Sequence, residues 1–309
     1  MEYSEILEQF KNKSVVVVGD AMLDIATYYE TVRPANEFDG NILKEVRTEV
    51  YPGGAAFVAA CCARLGALTF LVAPIAKDRN GITLCNILSD IGVRTNTSIW
   101  NEREWWGGTT SKNRVYIDNK PVYRVDDDIE TAVSMESLIK NFRITGFDAL
   151  LLSDYNKGML SPSRSGFVND LIQRFREANP NGIITANPKP SLLSYLPQID
   201  LVSMNKQETE EAEKIVSRPW KYDIRIETLG RRGLDVYHGG LVYGYSSSRV
   251  DYPDVVGCGD ATFAAASLTY TICREPGIVG KIAVNAGTAK ALKSGTVPVS
   301  SSDILELLD

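Results

Sequence analysis

The chain has 309 residues and a formal net charge of −6, without a basic stripe of lysines and arginines, which argues against a nucleic-acid partner. Its five cysteines have neither an even count nor a C-x-x-C spacing, so a disulfide framework and a zinc site are disfavoured. The chain has a single histidine, which disfavours a Ser-His-Asp triad. Any catalysis must therefore rest on carboxylates, lysines or backbone amides.

Apolar runs that end in polar residues, glycine or proline alternate along the chain with helical patterns. Such runs are typical of strands that are buried on both faces. The predicted strands are SVVVVGD (14–20), LTFLVAPIA (68–76), DALLLSD (148–154), NGIITANP (181–188) and DLVSMN (200–205). Helical patterns between them include GAAFVAACCARLG, ITLCNILSDIG and SGFVNDLIQRFREAN. This order predicts one α/β domain over residues 1–309 with a mostly parallel sheet.

Two charged segments rich in strand-forming residues interrupt the alternation. They lie at about 38–51 and 107–126, and the second contains a hairpin turn predicted at Ile117 to Lys120. Ligands bind beyond the carboxyl ends of the strands in an open parallel sheet, so a β insertion there would cover the site as a lid. The alternative is surface decoration, which loops generally tolerate.

Polar and small residues follow several of the predicted strands. Asp24, in GDAMLD, can accept hydrogen bonds from sugar hydroxyls. Gly53 and Gly54 are expected to begin the next helix, where a polar ligand could reach their amides, although tight packing of helix on sheet explains them equally well. Lys157, in SDYNKG, is a candidate for an anionic substrate group, although a loop lysine is more often solvated.

Asn205 and Glu208 are three residues apart at a strand-to-helix junction. The spacing puts both on one face of the first helical turn, where they could hold a hydrated Mg²⁺ beside phosphates. The same two residue types are also a common helix N-cap pair. The glycines of TLGRRG, between two later β runs, fit a hairpin turn and are a weak signal by themselves.

The stretch DVVGCGDATF places Gly257, Cys258 and Gly259 directly before Asp260 and an apolar helical pattern. Amides exposed at a helix N-terminus favour an anion. A carboxylate at an anion site is explained if it takes a proton from a nucleophile while the amides stabilise a transferring phosphoryl group. The alternative is a first-turn acid that only complements the helix dipole.

The order of these motifs resembles the PfkB (ribokinase-like) family of carbohydrate kinases over essentially the whole chain. The motifs that carry the resemblance are GDAMLD, YPGGAA, SDYNKG, NPKP, SMNKQE, TLGRRG, DVVGCGD and NAGTAKALKSGT. Within the family, GDAMLD, LSDYNKG and NPKP are most similar to the motifs of heptose 7-phosphate kinases. The resemblance implies a three-layer α/β/α ribokinase-like fold with a mostly parallel central sheet and a small β lid, and ATP- and Mg²⁺-dependent phosphoryl transfer to a sugar hydroxyl.

The resemblance also implies a role for each candidate residue. Asp260 would be the catalytic base, beside an anion hole formed by Gly257, Cys258 and Gly259. The sugar would face Asp24, Gly53, Gly54 and Lys157, and its own phosphate would meet Lys157 together with Lys112, Arg114 and Arg124 of the lid. The nucleotide and its Mg²⁺, held through water, would meet Asn205 and Glu208, and Thr228, Gly230, Gly233 and Asn285 would border the nucleotide.

Four features depart from the family pattern. Phe57 stands where the family usually has Asn, which bears on the choice of sugar. Asn187 stands where the heptose kinases have Asp before Pro-Lys, and Cys258 replaces a usual Ala. The segment 206–223 is short for the helices expected there, which bears on the nucleotide side. The length also leaves no room for a fused nucleotidyltransferase domain, so we expect only a kinase unit.

We therefore predict a kinase that converts heptose 7-phosphate to heptose 1,7-bisphosphate. The alternatives are a kinase of another sugar or nucleoside, such as fructose, ribose or adenosine, and a non-catalytic sugar- or nucleotide-binding protein. A dinucleotide oxidoreductase is disfavoured because VVVVGDAMLD lacks G-x-G-x-x-G.

The exposed strand edges of the lid predict a homodimer through that lid, as in similar kinases. Without a bilayer-length apolar run or the hydrophobic region of a signal peptide, we expect a cytoplasmic protein with no membrane partner.

Overall fold

The computed structural model describes residues 1–95, 108–128, 142–216, 220–251 and 253–308. Within these ranges strands and helices alternate largely as the sequence predicts. The strands are β1 Ser14–Gly19, β2 Ala21–Pro34, β3 Asn41–Gly54, β4 Leu68–Val72, β5 Arg94–Thr95, β6 Ser111–Ile117, β7 Lys120–Asp127, β8 Ala149–Ser153, β9 Ile183–Asn187, β10 Ile199–Asn205, β11 Tyr222–Thr228, β12 Leu234–His238 and β13 Leu241–Tyr245. The helices are α1 Tyr3–Gln9, α2 Ala55–Arg64, α3 Arg79–Ile91, α4 Ser165–Ala178, α5 Pro190–Leu193, α6 Lys206–Ile215, α7 Cys258–Tyr270, α8 Pro276–Ala291 and α9 Ser301–Leu305.

A nine-stranded sheet in the order β13-β12-β11-β10-β9-β8-β1-β4-β5 forms the middle layer. The strands from β5 to β11 run parallel, and β12 and β13 are antiparallel additions at one edge. Successive side chains of a strand point to opposite faces, so β1 contributes Val15 and Val17 to one core and Val16 and Val18 to the other. Helices α1, α2, α7 and α8 cover the first face and α4 to α6 cover the second. This confirms the predicted three-layer α/β/α arrangement.

A second sheet has four strands in the order β3-β2-β6-β7, and we call it the small sheet. Both segments predicted to form a β insertion contribute to it, although residue 107, the expected start of the second segment, lies outside the described residues. Between β6 and β7, Asp118 and Asn119 have φ values of 49° and 62°. Two successive left-handed residues are typical of a type I′ hairpin turn, and the predicted turn is confirmed.

The sequence prediction was wrong at three points in the fold. It missed β2, an inner strand of the small sheet, because only Asp20 separates β2 from β1. The strand predicted over 68–76 ends at Val72. Gly53 and Gly54 do not begin a helix: they end β3, and α2 starts at Ala55. Glycine is needed at 54 because φ is +59° and a Cβ there would overlap the carbonyl oxygen of Asp20.

Small side chains let α2 and α7 pack closely on the sheet and on each other. Residues 55–62 of α2 and 261–270 of α7 are all buried. Phe57 of α2 has no exposed surface, and its ring lies directly beside Gly257, the residue before α7. Packing of the two helices therefore fixes the position of the α7 N-terminus. Among the described residues, no helix has the length and apolar character needed to cross a bilayer.

Candidate active site

The carboxyl ends of five parallel strands meet the N-terminus of α7 at one end of the central sheet. In the register of the sheet, Gly19 of β1 pairs with Ser153 of β8, and Ser153 pairs with Asn187 of β9. Asn205 ends β10 beside Thr228 of β11. The small sheet begins at the same end of the strands because β2 follows β1 directly. The predicted site residues therefore cluster where parallel α/β sheets bind ligands.

The N-terminus of α7 has one packed side and one open side. Gly257 is the N-cap, with φ of +80°, and a Cβ there would overlap the Phe57 ring. At Gly259, by contrast, no heavy atom lies within 4 Å of the position that a Cβ would take. The first turn therefore presents its backbone to open space at Gly259, whereas the Cys258 N–H donates to the Val255 carbonyl at 3.4 Å. The anion hole at Gly257, Cys258 and Gly259 stays a prediction.

Asp260 lies in this first turn and is partly exposed. The hydroxyl of Tyr155 donates a hydrogen bond to its Oδ1, and no described residue donates one to its Oδ2. Burial raises the pKa of Asp260 to about 6, although the Tyr155 hydrogen bond and the charge of Lys189 lower it. Burial also raises the pKa of Tyr155 well above its ordinary value, so its hydroxyl keeps its proton. At neutral pH, Asp260 is a carboxylate with one oxygen available to accept a proton.

Tyr155 was not among the candidates that the sequence suggested, although it lies in the quoted SDYNKG motif. The ammonium groups of Lys112 and Lys189 lie 5.7 and 5.5 Å from the centroid of its ring. Such distances are in the range of cation–π contacts. The tyrosine therefore connects Asp260 with one lysine from the small sheet and one from the turn after β9.

Two buried carboxylates hold the loop that carries Tyr155. Asp20 accepts hydrogen bonds from the backbone N–H groups of Tyr155, Lys157 and Met159 at 3.0, 3.0 and 2.8 Å. Asp154 accepts from the N–H groups of Asn156 and Lys189 at 2.8 and 3.0 Å. Burial raises the pKa of Asp154 to about 6. Both acids therefore act on the backbone of the loop, and Asp20 has the turn-capping role that its place after β1 permits.

Asp24 lies in β2 and is only 5% exposed. Nη1 of Arg114 is 3.1 Å from its Oδ1, but the two are not aligned for a hydrogen bond, and Oδ1 has no donor among the described residues. A Cβ at Gly53 would lie 3.0 Å from Oδ2, so glycine gives the carboxylate its space. Asp24 and Arg114 line a groove of about 280 Å³ together with Tyr28, Tyr51 and Thr296. A buried oxygen that accepts no hydrogen bond and lies beside a polar groove can accept one from a ligand hydroxyl.

The other candidate cations lie beside acidic side chains. Lys157 forms an ion pair with Asp128, and Arg124 forms one with Asp126 at 2.8 Å. Burial lowers the pKa of Lys112, and the charges of Arg124 and Lys157 lower it further, while Asp24 and Asp126 raise it. The fold thus brings Lys112, Arg114, Arg124 and Lys157 into one region next to Asp24.

Asn205 and Glu208 form a reciprocal capping box at the start of α6. Oδ1 of Asn205 accepts from the Glu208 N–H at 2.8 Å, and Oε2 of Glu208 accepts from the Asn205 N–H at 3.0 Å. Oε1 of Glu208 is paired with the Lys189 ammonium. In the described part of the chain, no three His, Cys, Asp or Glu side chains are grouped to hold a metal ion. All three of these oxygens already have partners, so a Mg²⁺ ion at this place would be held through water and phosphates.

The remaining nucleotide candidates divide into two groups. Thr228 and Gly230 lie at the same sheet edge as Asn205, and the position of a Cβ at Gly230 is open. Gly233 has a structural role, because a Cβ there would overlap the carbonyl oxygen of Tyr245. Asn285 of α8 is 3% exposed, and its Nδ2 donates to the Lys281 carbonyl at 3.0 Å. The segment 206–223 contains residues 217–219, which lie outside the described residues.

The family model described as pfkB family carbohydrate kinase matches residues 12–302. The chain belongs to this family. The PfkB chain is 28% identical over 320 residues to a "Bifunctional protein HldE" of Campylobacter jejuni (strain RM1221), covering 97% of this chain and 65% of that protein. It is 27% identical to the "Bifunctional protein HldE" of Koribacter versatilis (strain Ellin345), covering 99% and 66%. The chain thus spans only about 65% of the length of these relatives.

Solved structures share the fold of this PfkB chain. Phosphofructokinase-2 from Escherichia coli, in complex with substrates and products, has a TM-score of 0.76 at 18% identity and covers 96% of this chain and 98% of its own. Ribokinase of Arabidopsis thaliana, complexed with ribose and ATP, has a TM-score of 0.68 at 18% identity, with 96% and 99% covered. The predicted ribokinase-like fold and the predicted enzyme class, a carbohydrate kinase, are confirmed.

Proposed function

We propose that this kinase transfers the γ-phosphoryl group of ATP to a hydroxyl of a phosphorylated sugar, with heptose 7-phosphate as the first candidate and heptose 1,7-bisphosphate as its product. The observation that carries the proposal is the Asp260 carboxylate beside the open first turn of α7. A base next to the exposed backbone of a first helical turn suits attack by a hydroxyl on a phosphoryl group. Similarity to relatives named HldE supports the heptose.

Asp260 would accept the proton of the attacking hydroxyl at Oδ2 while Tyr155 holds Oδ1. The amides of Gly257, Cys258 and Gly259 would stabilise the charge on the transferring group. Asp24 would orient the sugar by accepting a hydrogen bond at Oδ1, the buried oxygen that lies beside Arg114 and accepts none from the described residues. Mg²⁺, when bound, offsets the charge of the nucleotide phosphates. Catalysis in this scheme comes mainly from positioning and from fixed charges.

Lys189 would connect the nucleotide side of the site with the base. Its ammonium pairs with Glu208 and also lies 5.5 Å from the centroid of the Tyr155 ring, so it lies between the start of α6 and Asp260. A positive charge in that position can stabilise the phosphoryl group as it leaves the nucleotide. Asn205 and Glu208 would hold a hydrated Mg²⁺ through its water ligands.

The group of cations near Asp24 supports a sugar that carries its own phosphate. Four cationic side chains, Lys112, Arg114, Arg124 and Lys157, lie with Asp24, Asp126 and Asp128 at the edge of the small sheet. Arg and Lys side chains can bind a phosphate through charge-assisted hydrogen bonds. The small sheet would then act as a lid over the sugar.

One observation favours a different acceptor. Phe57 stands where PfkB kinases usually have Asn, and its buried ring lies against Gly257 in the floor of the site. A phenyl ring cannot form the hydrogen bond to a sugar hydroxyl that the side-chain amide of Asn can form. A kinase of another sugar or nucleoside, such as fructose, ribose or adenosine, is therefore the second candidate.

A panel of acceptors tests the proposal. ADP release is measured with heptose 7-phosphate, fructose 6-phosphate, fructose, ribose and adenosine, with ATP and MgCl₂ present and with the Asp260→Asn protein as the blank. We expect turnover with heptose 7-phosphate and much less with the unphosphorylated acceptors. Turnover confined to an unphosphorylated acceptor would refute the phosphorylated substrate, and no turnover with any acceptor would refute the kinase proposal.

A further inference from the structure

Lys290, near the end of α8, is a lysine with no exposed surface. Lysine is rarely buried completely unless its ammonium group has partners. Its Nζ donates a hydrogen bond to the carbonyl oxygen of Lys293, 3.0 Å away. A lysine in the last turn of a helix can make this bond while exposed, so the bond alone does not explain complete burial.

The side chains that face Lys290 belong to the loop before α7 and to its first turn. Burial lowers the pKa of Lys290, and the acids around it oppose that effect, with Asp254 first. Cys258 and Asp260 of α7 and Cys61 of α2 are the other titratable groups that face it. The ammonium thus lies near the loop before α7 and the first turn of that helix.

Asp254 joins this loop to the turn that follows α8. Its Oδ1 accepts from the Val256 N–H at 3.1 Å, and its Oδ2 accepts from the Gly295 N–H at 2.7 Å. Its own N–H donates to the Ala291 carbonyl at 3.0 Å. Its carbonyl accepts from the Cys258 thiol at 3.4 Å. Asp254 is thus bonded to Ala291 and Gly295, which flank the Lys293 carbonyl that accepts from the Lys290 ammonium, and it also holds the residues just before α7.

We propose that Lys290 is a positioning residue whose buried ammonium balances the charge of Asp254 and so fixes the turn from Gly257 to Gly259 for phosphoryl transfer. The inference rests on the proposed function, which assigns stabilisation of the transferring phosphoryl group to that turn. Lys290 would not touch substrate. It would act through Asp254, whose bonds hold the loop, and its charge would add to the positive potential behind the anion hole.

The first experiment removes the charge and keeps the volume. Lys290→Met should lower kcat by roughly 10- to 100-fold, the scale expected when a catalytic group is displaced by about 1 Å, with little change in KM for the sugar. Lys293→Met is the matched control: the Lys293 side chain pairs with Asp303 at 3.1 Å, away from the site, and its removal should leave kcat unchanged. A parental kcat in Lys290→Met would overturn the proposal.

Hydrogen exchange supplies a readout that does not depend on activity. The amides of residues 255–260 should exchange faster in Lys290→Met than in the parental protein, whereas peptides from β1 and β8 should be unchanged. Unchanged exchange over 255–260 would overturn the positioning role even if kcat fell. If the parental protein had no activity with any acceptor, the proposed function would fail, while the exchange measurement would still decide the role of Lys290.

A second variant tests whether charge is what Lys290 contributes. Lys290→Ala leaves a space in which a small cation can bind, whereas the methionine of Lys290→Met fills it. Added ammonium or potassium chloride should therefore restore part of kcat, or slow exchange over 255–260, in Lys290→Ala only, and choline chloride at equal ionic strength should do neither. Absence of any recovery with the small cations would refute the charge-based role. If Lys290→Ala does not fold, Lys290→Met and its exchange pattern decide alone.

Discussion

A tyrosine hydroxyl bonded to a carboxylate is the central contact of the candidate active site. The two residues, Tyr155 and Asp260, come from different elements, the loop after β8 and the first turn of α7. The hydrogen bond holds one carboxylate oxygen and leaves the other for a ligand. At this scale the question is whether Asp260 is a base or only a first-turn acid, and two substitutions separate these roles.

Replacing Asp260 with Asn removes the proton acceptor and keeps the size. If Asp260 is the base, turnover should fall by roughly 100-fold or more while ATP affinity stays similar or improves, because a negative charge leaves the anion site. Asp303→Asn is the matched control, since Asp303 is the first-turn acid of α9 within a capping box. It should cost at most about 1 kcal/mol of stability and leave turnover intact. Steady-state kinetics and ATP titration measure both, and parental turnover in Asp260→Asn would remove the base from the mechanism.

Replacing Tyr155 with Phe tests the hydrogen bond through the pH profile. The hydroxyl lowers the pKa of Asp260, and so do the charges of Lys189 and Lys112, while Asp24 raises it. Without the hydroxyl the pKa of Asp260 should rise, so the base is protonated up to a higher pH. The acidic limb of kcat against pH should therefore move to higher pH, whereas exposed Tyr195→Phe should leave the profile unchanged. A limb that does not move, or that moves to lower pH, would contradict the assignment.

At the scale of elements, the two glycines at the start of α7 have different roles. Gly257 has a positive φ and touches Phe57, whereas Gly259 is within the helix and faces open space. The first glycine is required by backbone conformation and packing, and the second leaves room in front of the amides. The two can be separated by placing the same methyl group at each position.

Gly257→Ala should lower the free energy of unfolding by roughly 1–3 kcal/mol, because alanine is strained at this φ and its Cβ would overlap the Phe57 ring. Gly259→Ala should leave stability unchanged or raise it by up to about 1 kcal/mol, since alanine is the better helix former. The new methyl group would nevertheless stand where a phosphoryl group is expected, so kcat should fall. Urea unfolding and kinetics together check this. A stable Gly259→Ala protein with parental kcat would mean that the open face is not the transfer site.

The sequence predicts most elements but few of the contacts between them. Continuous apolar runs such as 14–20 and 148–154 identify the buried strands because both of their faces are covered. The central strand β2 was missed because a single residue separates it from β1. Tyr155 and Lys290 were missed because their partners, Asp260 and Asp254, are distant in sequence and a buried polar contact follows no periodic pattern. Asp260 was found because glycines before a helix have a local physical cause.

At the scale of the whole molecule, the small sheet presents uncovered edges and apolar side chains. Every residue of β7 is exposed, and Val122, Tyr123 and Val125 are each more than half exposed. An open edge strand of this kind is usually covered or paired. We predict that two copies pair through the small sheet to form a homodimer.

Sedimentation at micromolar concentration tests the assembly. The parental protein should sediment as a dimer, and Tyr123→Glu, which adds a charge to the exposed strand, should shift it to a monomer. Tyr195→Glu, at an exposed tyrosine outside the small sheet, should leave the dimer intact. A parental monomer at these concentrations would contradict the prediction.

The central place of β1 also bears on how the chain is made. Its Val15 pairs with Thr69 on one side and with Ala149 on the other, so the third strand of this trio is synthesised long after the first. Until β8 leaves the ribosome, one edge of β1 and half of its apolar side chains lack their final cover. Exposed apolar surface and an unpaired strand edge make such a nascent chain prone to aggregation. The end of the sheet that carries Asp20 and receives the loop of Tyr155 is therefore completed late, because Tyr155 follows Asp20 by 135 residues.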